Sequence, residues 1–294
     1  MSNEPKAIYL LPTEGDGFDS YKTTNPSSQI SRPLIANYKK SQALRFRASL
    51  VGVIHGTLST GGAPASLIVT EFRFESGDAA RRFKSATIEY IFLSEDETSD
   101  KLRPEICRIA PSGAFSIDPL DTSAPTAVTS VESPSSPGPP PRMARRESID
   151  SMATIKHAPR VHWKLNETQD AREHATLTGL TRTREDYGGK NIATWVLREN
   201  RSTMSGIPTV LQTAVLLKRR NNDDFMATLN IQAEVDLKYS MSTALKNVAG
   251  LVPRNNPIYF KVDQPLMGNL GGIDKDRLHD VKLGDHMSVV SIKR

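Results

Sequence analysis

The stretch from Phe225 to Leu237 leaves little choice of conformation. Phe225, Ala227, Leu229, Ile231, Ala233, Val235 and Leu237 are apolar at every second position, and Met226, Thr228, Asn230, Gln232, Glu234 and Asp236 stand between them. A period of two places the two sets on opposite faces of a β-strand, whereas a helix would scatter them around its circumference. The stretch therefore predicts a long strand with one buried and one wet face. Shorter alternations recur. Leu44, Phe46, Ala48 and Leu50 alternate with Arg45, Arg47 and Ser49; Phe72 and Phe74 with Glu71, Arg73 and Glu75; Ala86, Ile88, Tyr90 and Phe92 with Thr87, Glu89 and Ile91. Further strands are expected over 67–69, 106–109, 176–183, 192–197, 210–217, 258–262 and 287–292. Turn chemistry separates several of them, at Ser76-Gly77-Asp78, Tyr187-Gly188-Gly189 and Asn221-Asn222-Asp223-Asp224. Helix is confined to 242–249, which Gly250 would end, and to a turn over 274–280. Many strands with few helices predict an all-β chain, an antiparallel β-sandwich, C2-like or similar. Within it, 210–217 and 225–237 read as a hairpin whose loop is Lys218-Arg219-Arg220-Asn221-Asn222-Asp223-Asp224.

One segment breaks this pattern. No Phe, Tyr or Trp occurs from Ser116 to His162, and residues 119–159 hold eight of the chain's 19 prolines. Its centre reads Ser133-Pro134-Ser135-Ser136-Pro137-Gly138-Pro139-Pro140-Pro141. Such a composition buries too little apolar area to offset its ordering entropy, so the segment is expected to be disordered, with polyproline II at its proline run. Closing a longer loop costs only logarithmically more. One sandwich with an insertion is therefore the expected organisation: an extended arm over 1–40, a first part over 41–118, the insertion over 119–159 and a second part over 160–294.

Charge and cysteine content narrow the function classes. Lys and Arg total 38 against 33 Asp and Glu, a net charge of +5, and the two signs are interspersed along the chain. A nucleic-acid binder shows a denser basic face, and aromatic side chains at 6% leave few stacking platforms. The single cysteine, Cys107, excludes a disulfide scaffold and a Cys-based zinc site. It fits a reducing compartment. The apolar run Ala7-Ile8-Tyr9-Leu10-Leu11 stops at Pro12, too short for a signal peptide, and no stretch has the length of a membrane helix. The expectation is a cytoplasmic or nuclear protein with no transmembrane segment.

No catalytic, cofactor or metal site is assigned from the sequence. Gly56-Thr57-Leu58-Ser59-Thr60-Gly61-Gly62 approaches a phosphate loop, but Gly62-Ala63 stands where Lys-Ser/Thr is needed. A polar turn is the better reading. None of the six histidines has metal-ligand spacing with another His or with Cys107. His55, His162, His174 and His279 keep an enzymatic alternative open if any converges with a carboxylate. Calcium would need six to eight oxygens gathered by Glu95-Asp96-Glu97, Asp100, Asp223-Asp224, Asp274 and Asp276; solvated turns are the better reading, since Asp is expected in turns and Lys101, Arg219, Arg220 and Lys275 are interleaved.

The insertion carries the most specific signals. Arg145-Arg146-Glu147-Ser148-Ile149 resembles a site for a basophilic, cyclic-AMP-dependent kinase, and phosphorylating Ser148 would set about −1.5 to −2 charges beside two arginines. Ser133-Pro134 and Ser136-Pro137 resemble proline-directed sites. Pro137, Pro140 and Arg142 fit the P-x-x-P-x-Arg form that SH3 domains read. Outside the insertion, Lys218, Arg219 and Arg220 form a basic run suited to an anionic surface such as acidic lipid. Trp195, Glu199-Asn200, Gly206-Ile207-Pro208 and Ala214-Val215-Leu216-Leu217 together resemble a group of fungal β-rich proteins. That resemblance implies a fungal source and brings no activity. The expected function is a non-enzymatic protein-interaction or adaptor sandwich with a phosphorylatable loop. The alternatives are a C2-like module binding acidic lipid, with or without calcium, and an enzyme of unrecognised type.

Overall fold

The computed structural model describes residues 8–9, 34–40, 44–77, 82–95, 103–119, 160–167, 174–184, 188–235, 257–264, 268 and 270–292. Among them the chain is mostly strand: β1 (Ile8–Tyr9), β2 (Leu34–Lys40), β3 (Leu44–Thr57), β4 (Pro64–Ser76), β5 (Phe83–Ser94), β6 (Glu105–Ala110), β7 (Gly113–Pro119), β8 (Arg160–Glu167), β9 (Ala175–Arg182), β10 (Ile192–Arg198), β11 (Val210–Lys218), β12 (Phe225–Val235), β13 (Ile258–Phe260) and β14 (Ser288–Ile292). Helix is limited to two 3-10 segments, Lys275–Asp280 and Leu283–His286. The segment expected as helix over 242–249 lies outside the described residues.

The strands form two antiparallel sheets. Sheet I runs β12-β5-β10-β9-β7-β8, with β13 and β1 on the outer edge of β12. Sheet II runs β2-β3-β4-β11, with β14 and β6 end to end along the far edge of β11. At the seam, β8 pairs with β7 of sheet I and with β14 of sheet II. Strands from before and after the 119–159 segment interleave, since β5 lies between β12 and β10 and β4 pairs with β11. The arm expected over 1–40 is not wholly outside the sheets, because β2 pairs with β3 and β1 with β12.

Between the sheets lies the core the alternations predict. Phe46, Phe72 and Phe74 from sheet II meet Phe83, Tyr90, Phe92, Trp195 and Phe225 from sheet I. Phe74 packs edge-on against Phe83, with ring centroids 5.4 Å apart. Such large rings dominate core energetics. β4 and β11 depart from simple alternation, because Ala65 through Thr70 and Thr213 through Leu217 are buried on both faces. The C-terminal segment 270–287 lies across the outer face of sheet II, packing Leu278 and Leu283 on Ile54, Leu67, Val69 and Leu216. Sheet II is thus a middle layer at this end, and a strand covered on both faces reads as a continuous apolar run. The strap is held by polar ties. Arg108 Nη2 donates to the carbonyls of His279 and Val281, Thr57 Oγ1 donates to that of Asp276 at 3.1 Å, and Gln212 Nε2 donates to that of His286 at 2.9 Å. At Gly56 the strap comes so close that a Cβ would stand 1.9 Å from the Lys275 carbonyl oxygen.

The expected hairpin between 210–217 and 225–237 does not form. β11 lies in sheet II and β12 in sheet I, so the Lys218–Asp224 connection crosses from one sheet to the other. The edges of β11 are already taken by β4 on one side and β6 and β14 on the other. Local alternation and turn chemistry specify a reversal of direction, but not which sheet receives the returning strand.

Candidate functional site: a polar cluster where the sheets meet

Where this crossing leaves β11, polar side chains gather at one end of the core. His55 of β3 stands opposite Ser66 of β4 in the register, and His55 Nδ1 and Ser66 Oγ share a hydrogen bond of 2.8 Å. Phe225 of β12 meets the imidazole edge to face at a centroid distance of 6.1 Å. Arg219 follows β11 and is only 3% exposed. Its backbone N–H donates to the Pro64 carbonyl at 2.7 Å, Nη2 to the Ala65 carbonyl at 3.4 Å and Nη1 to the Asn221 carbonyl at 3.2 Å. Its Nε is buried without a partner. Asp224 closes the group. It accepts from the Val262 N–H at 2.9 Å and pairs with Lys261 Nζ at 2.6 Å, and Lys261 also reaches Glu95 at 3.5 Å.

The electrostatics follow from burial. Desolvation lowers the pKa of His55 to about 4; the nearby Arg219 cation pushes the same way and Asp224 opposes. The imidazole is therefore neutral at pH 7. Burial also lowers the pKa of Arg219. Burial raises that of Asp224, but the Lys261 and Val262 hydrogen bonds outweigh it, so the net shift is downward. Serine, histidine and aspartate are thus near one another without forming a relay. Ser66 is 0% exposed, and the carboxylate oxygens of Asp224 are engaged by Lys261 and Val262. A nucleophile must reach its substrate and hold its base within hydrogen-bond range, with that base oriented by a third group. What the arrangement does is hold a neutral imidazole as a bridge between the sheets.

The other sequence candidates distribute as follows. Of the basic run, Lys218 and Arg220 are exposed, whereas Arg219 turns into the core, so the run presents two cations to solvent rather than three. Arg220 pairs with Glu105. Two of the acidic clusters meet, Glu95 and Asp224, but across the ammonium of Lys261. Asp274 caps the N–H of Asp276 at 2.9 Å. Among the described residues no three His, Cys, Asp or Glu side chains converge on a metal-sized site. Asp96, Glu97 and Asp100 lie outside the described residues, as do Ser133, Ser136, Pro137, Pro140, Arg142 and Ser148. His174 is half-buried and His279 is exposed. The glycine-rich stretch is the turn between β3 and β4, closed by Leu58 N–H on the Ala63 carbonyl at 2.9 Å. Cys107 is exposed at the surface of β6, and partial burial raises its pKa.

The Trp195 to Leu217 pattern is another crossing between sheets, from β10 to β11. Trp195 is fully buried in β10 and its indole Nε1 donates to the Pro111 carbonyl at 3.0 Å. Glu199 accepts from Arg82 Nε at 2.7 Å and from the Gly206 N–H at 3.0 Å. Asn200 Oδ1 accepts from the Ser202 N–H at 2.7 Å and the Thr203 N–H at 3.1 Å, a side-chain-closed turn. Gly206 has φ of 79°, which only glycine adopts without strain, and Ile207 N–H then bonds to the Phe83 carbonyl at 3.0 Å. Arg82 and Glu199 are 117 residues apart, and no local pattern announces their pairing.

No protein-family model matches the chain, and no curated protein is significantly similar to it. Among the described residues no helix is long and apolar enough to cross a membrane.

Proposed function

We propose that the chain is a non-enzymatic protein-interaction sandwich whose 119–159 segment carries the regulated contacts. One observation supports this above the others. β7 ends at Pro119, β8 begins at Arg160, and Pro119 stands opposite Trp163 in their antiparallel register. The intervening segment leaves and re-enters the sheet at neighbouring positions, since register partners lie about 5 Å apart. It is therefore anchored at one end on β7 and at the other on β8, the strand that joins the two sheets. Kinase and SH3 recognition read short linear motifs of the kind this segment carries, and anchoring its two ends on paired strands supports the reading. The chemistry at the His55 cluster agrees with a structural role for that group. Acidic-lipid binding through Lys218, Arg219 and Arg220 draws less support, because Arg219 is buried and Arg220 is paired with Glu105.

The test uses the full chain. Arrayed SH3 domains of the P-x-x-P-x-Arg class are expected to bind it, and Arg142→Ala should weaken binding roughly tenfold, the equivalent of about 1.4 kcal/mol. A cyclic-AMP-dependent kinase is expected to phosphorylate it, with incorporation lost in Ser148→Ala. Absence of both results, or turnover of a small substrate by the pure protein, would overturn the reading.

A further inference from the structure

Beyond the strap, the outer face of sheet II changes from apolar to charged, with Arg45, Arg47 and Arg73 set against Glu71 and Glu75. Arg45 and Arg47 of β3 and Arg73 of β4 alternate with the buried Phe46, Ala48, Phe72 and Phe74, so they occupy the face turned away from the core. The register sets Arg47 directly opposite Arg73 and Arg45 opposite Glu75. On the other side of β3, Lys39 and Asn37 stand opposite Arg45 and Arg47. Like charges directly opposite one another are destabilising. Glu71 relieves only Arg73, with Nε and Oε1 2.6 Å apart and the two side chains 35% and 22% exposed. Neither the Arg45 nor the Arg47 guanidinium has a hydrogen-bond or ion-pair partner among the described residues, and each Nε is buried without an acceptor. Buried donors without acceptors are uncommon in folded proteins.

We infer that this face docks an acidic peptide of a partner protein, lying extended along β3 with carboxylates at alternate positions. Side chains i and i+2 of a strand stand about 6.8 Å apart. Arg45 and Arg47 therefore match the i and i+2 carboxylates of a second extended chain. Each guanidinium fork can take a carboxylate through two parallel N–H···O bonds, and the added negative charge relieves the Arg47–Arg73 opposition. The inference rests on the interaction reading above and adds the chemistry of the partner to it.

Fluorescence anisotropy on the full chain tests it. The probes are a labelled peptide of about eight residues alternating Glu and Thr, the same composition with the glutamates contiguous, and a phosphoserine peptide of equal charge; at about 3.4 Å per residue this length covers the Arg45–Arg47 pair along β3 with residues to spare on either side. The alternating peptide is expected to bind most tightly and to weaken with salt. Its affinity should fall about tenfold or more in Arg45→Gln/Arg47→Gln, the scale set by losing charge-assisted bonds. Lys218→Gln, at the other end of sheet II, should leave it unchanged. Arg47→Lys keeps the charge but loses the fork and should fall between wild type and the double variant, so it decides the matter should the double variant fail to fold. Equal binding of the three probes, tighter binding of the phosphopeptide, or insensitivity to Arg45 and Arg47 overturns the inference. A null result with SH3 binding by the 119–159 segment intact overturns this face alone; loss of both overturns the interaction reading.

Discussion

Replacing Trp195 with alanine is expected to destabilise the protein by about 3–5 kcal/mol, the range for deleting a large aromatic from a core. Trp195 is fully buried at the centre of sheet I, and its indole N–H is a partner of the Pro111 carbonyl. Alanine leaves both a cavity and an acceptor without its donor. With total stabilities of about 5–15 kcal/mol for a domain, this removes a large share of the total and should lower the unfolding midpoint sharply. Trp195→Phe separates the two effects: it keeps most of the ring volume and loses the hydrogen bond, for about 1–2 kcal/mol. Urea unfolding followed by circular dichroism checks both. A midpoint for the alanine variant within error of wild type would contradict the packing described.

Acid should weaken the fold through His55 between about pH 6.5 and 4. Its folded pKa of about 4 lies below the unfolded value of about 6.5. Above pH 6.5 the imidazole is neutral in both states and its stability contribution is intact. As the pH falls from 6.5 towards 4, the unfolded chain takes up a proton that the folded chain does not, and stability drops. The loss approaches about 3 kcal/mol by pH 4 and then levels off for this group. Asp224 acts in the same direction at lower pH: its pKa is lowered in the fold, so its contribution is intact above the ordinary carboxylate value and is lost as the pH falls from there through the lowered one. His55→Gln keeps a polar partner for Ser66 and removes the titration. Its stability should be nearly flat between pH 6.5 and 4.5 where wild type slopes, as read from urea midpoints across that range. Parallel slopes for the two proteins would show that His55 is not the titrating group.

The all-β architecture was legible because the alternation at Phe225–Val235, Phe83–Ser94 and around Phe46 records which face each side chain turns to the core. Pairing was not legible. Nothing near Val210–Lys218 signals that β11 joins β4 while β12 joins β5, because edge occupancy is decided by residues more than a hundred positions away. The double burial of β4 hints at a third layer, since Leu67-Ile68-Val69 has no polar alternate; the strap that causes it is a mostly polar sequence with spaced Leu270, Ile273, Leu278 and Leu283. The His55 cluster was half visible. His55 shares the inward period of Val53, which places it at the core, but Ser66 and Asp224 join it only through the fold. Arg219 was not legible for the same reason: three consecutive basic residues look alike in sequence, and the middle one is buried by its bonds to the Pro64 and Ala65 carbonyls of β4.

The most direct test of the account is SH3 binding by a chain in which residues 120–159 are replaced by a short Gly/Ser turn joining Pro119 to Arg160. Because β7 and β8 are register neighbours, the shortened chain should still unfold in one cooperative transition, and about 2 kcal/mol more stably for a roughly tenfold shorter loop. The same chain is expected to lose SH3 binding and Ser148-type phosphorylation entirely. A shortened chain that folds and still binds the SH3 domain would contradict the claim that the 119–159 segment carries the interaction.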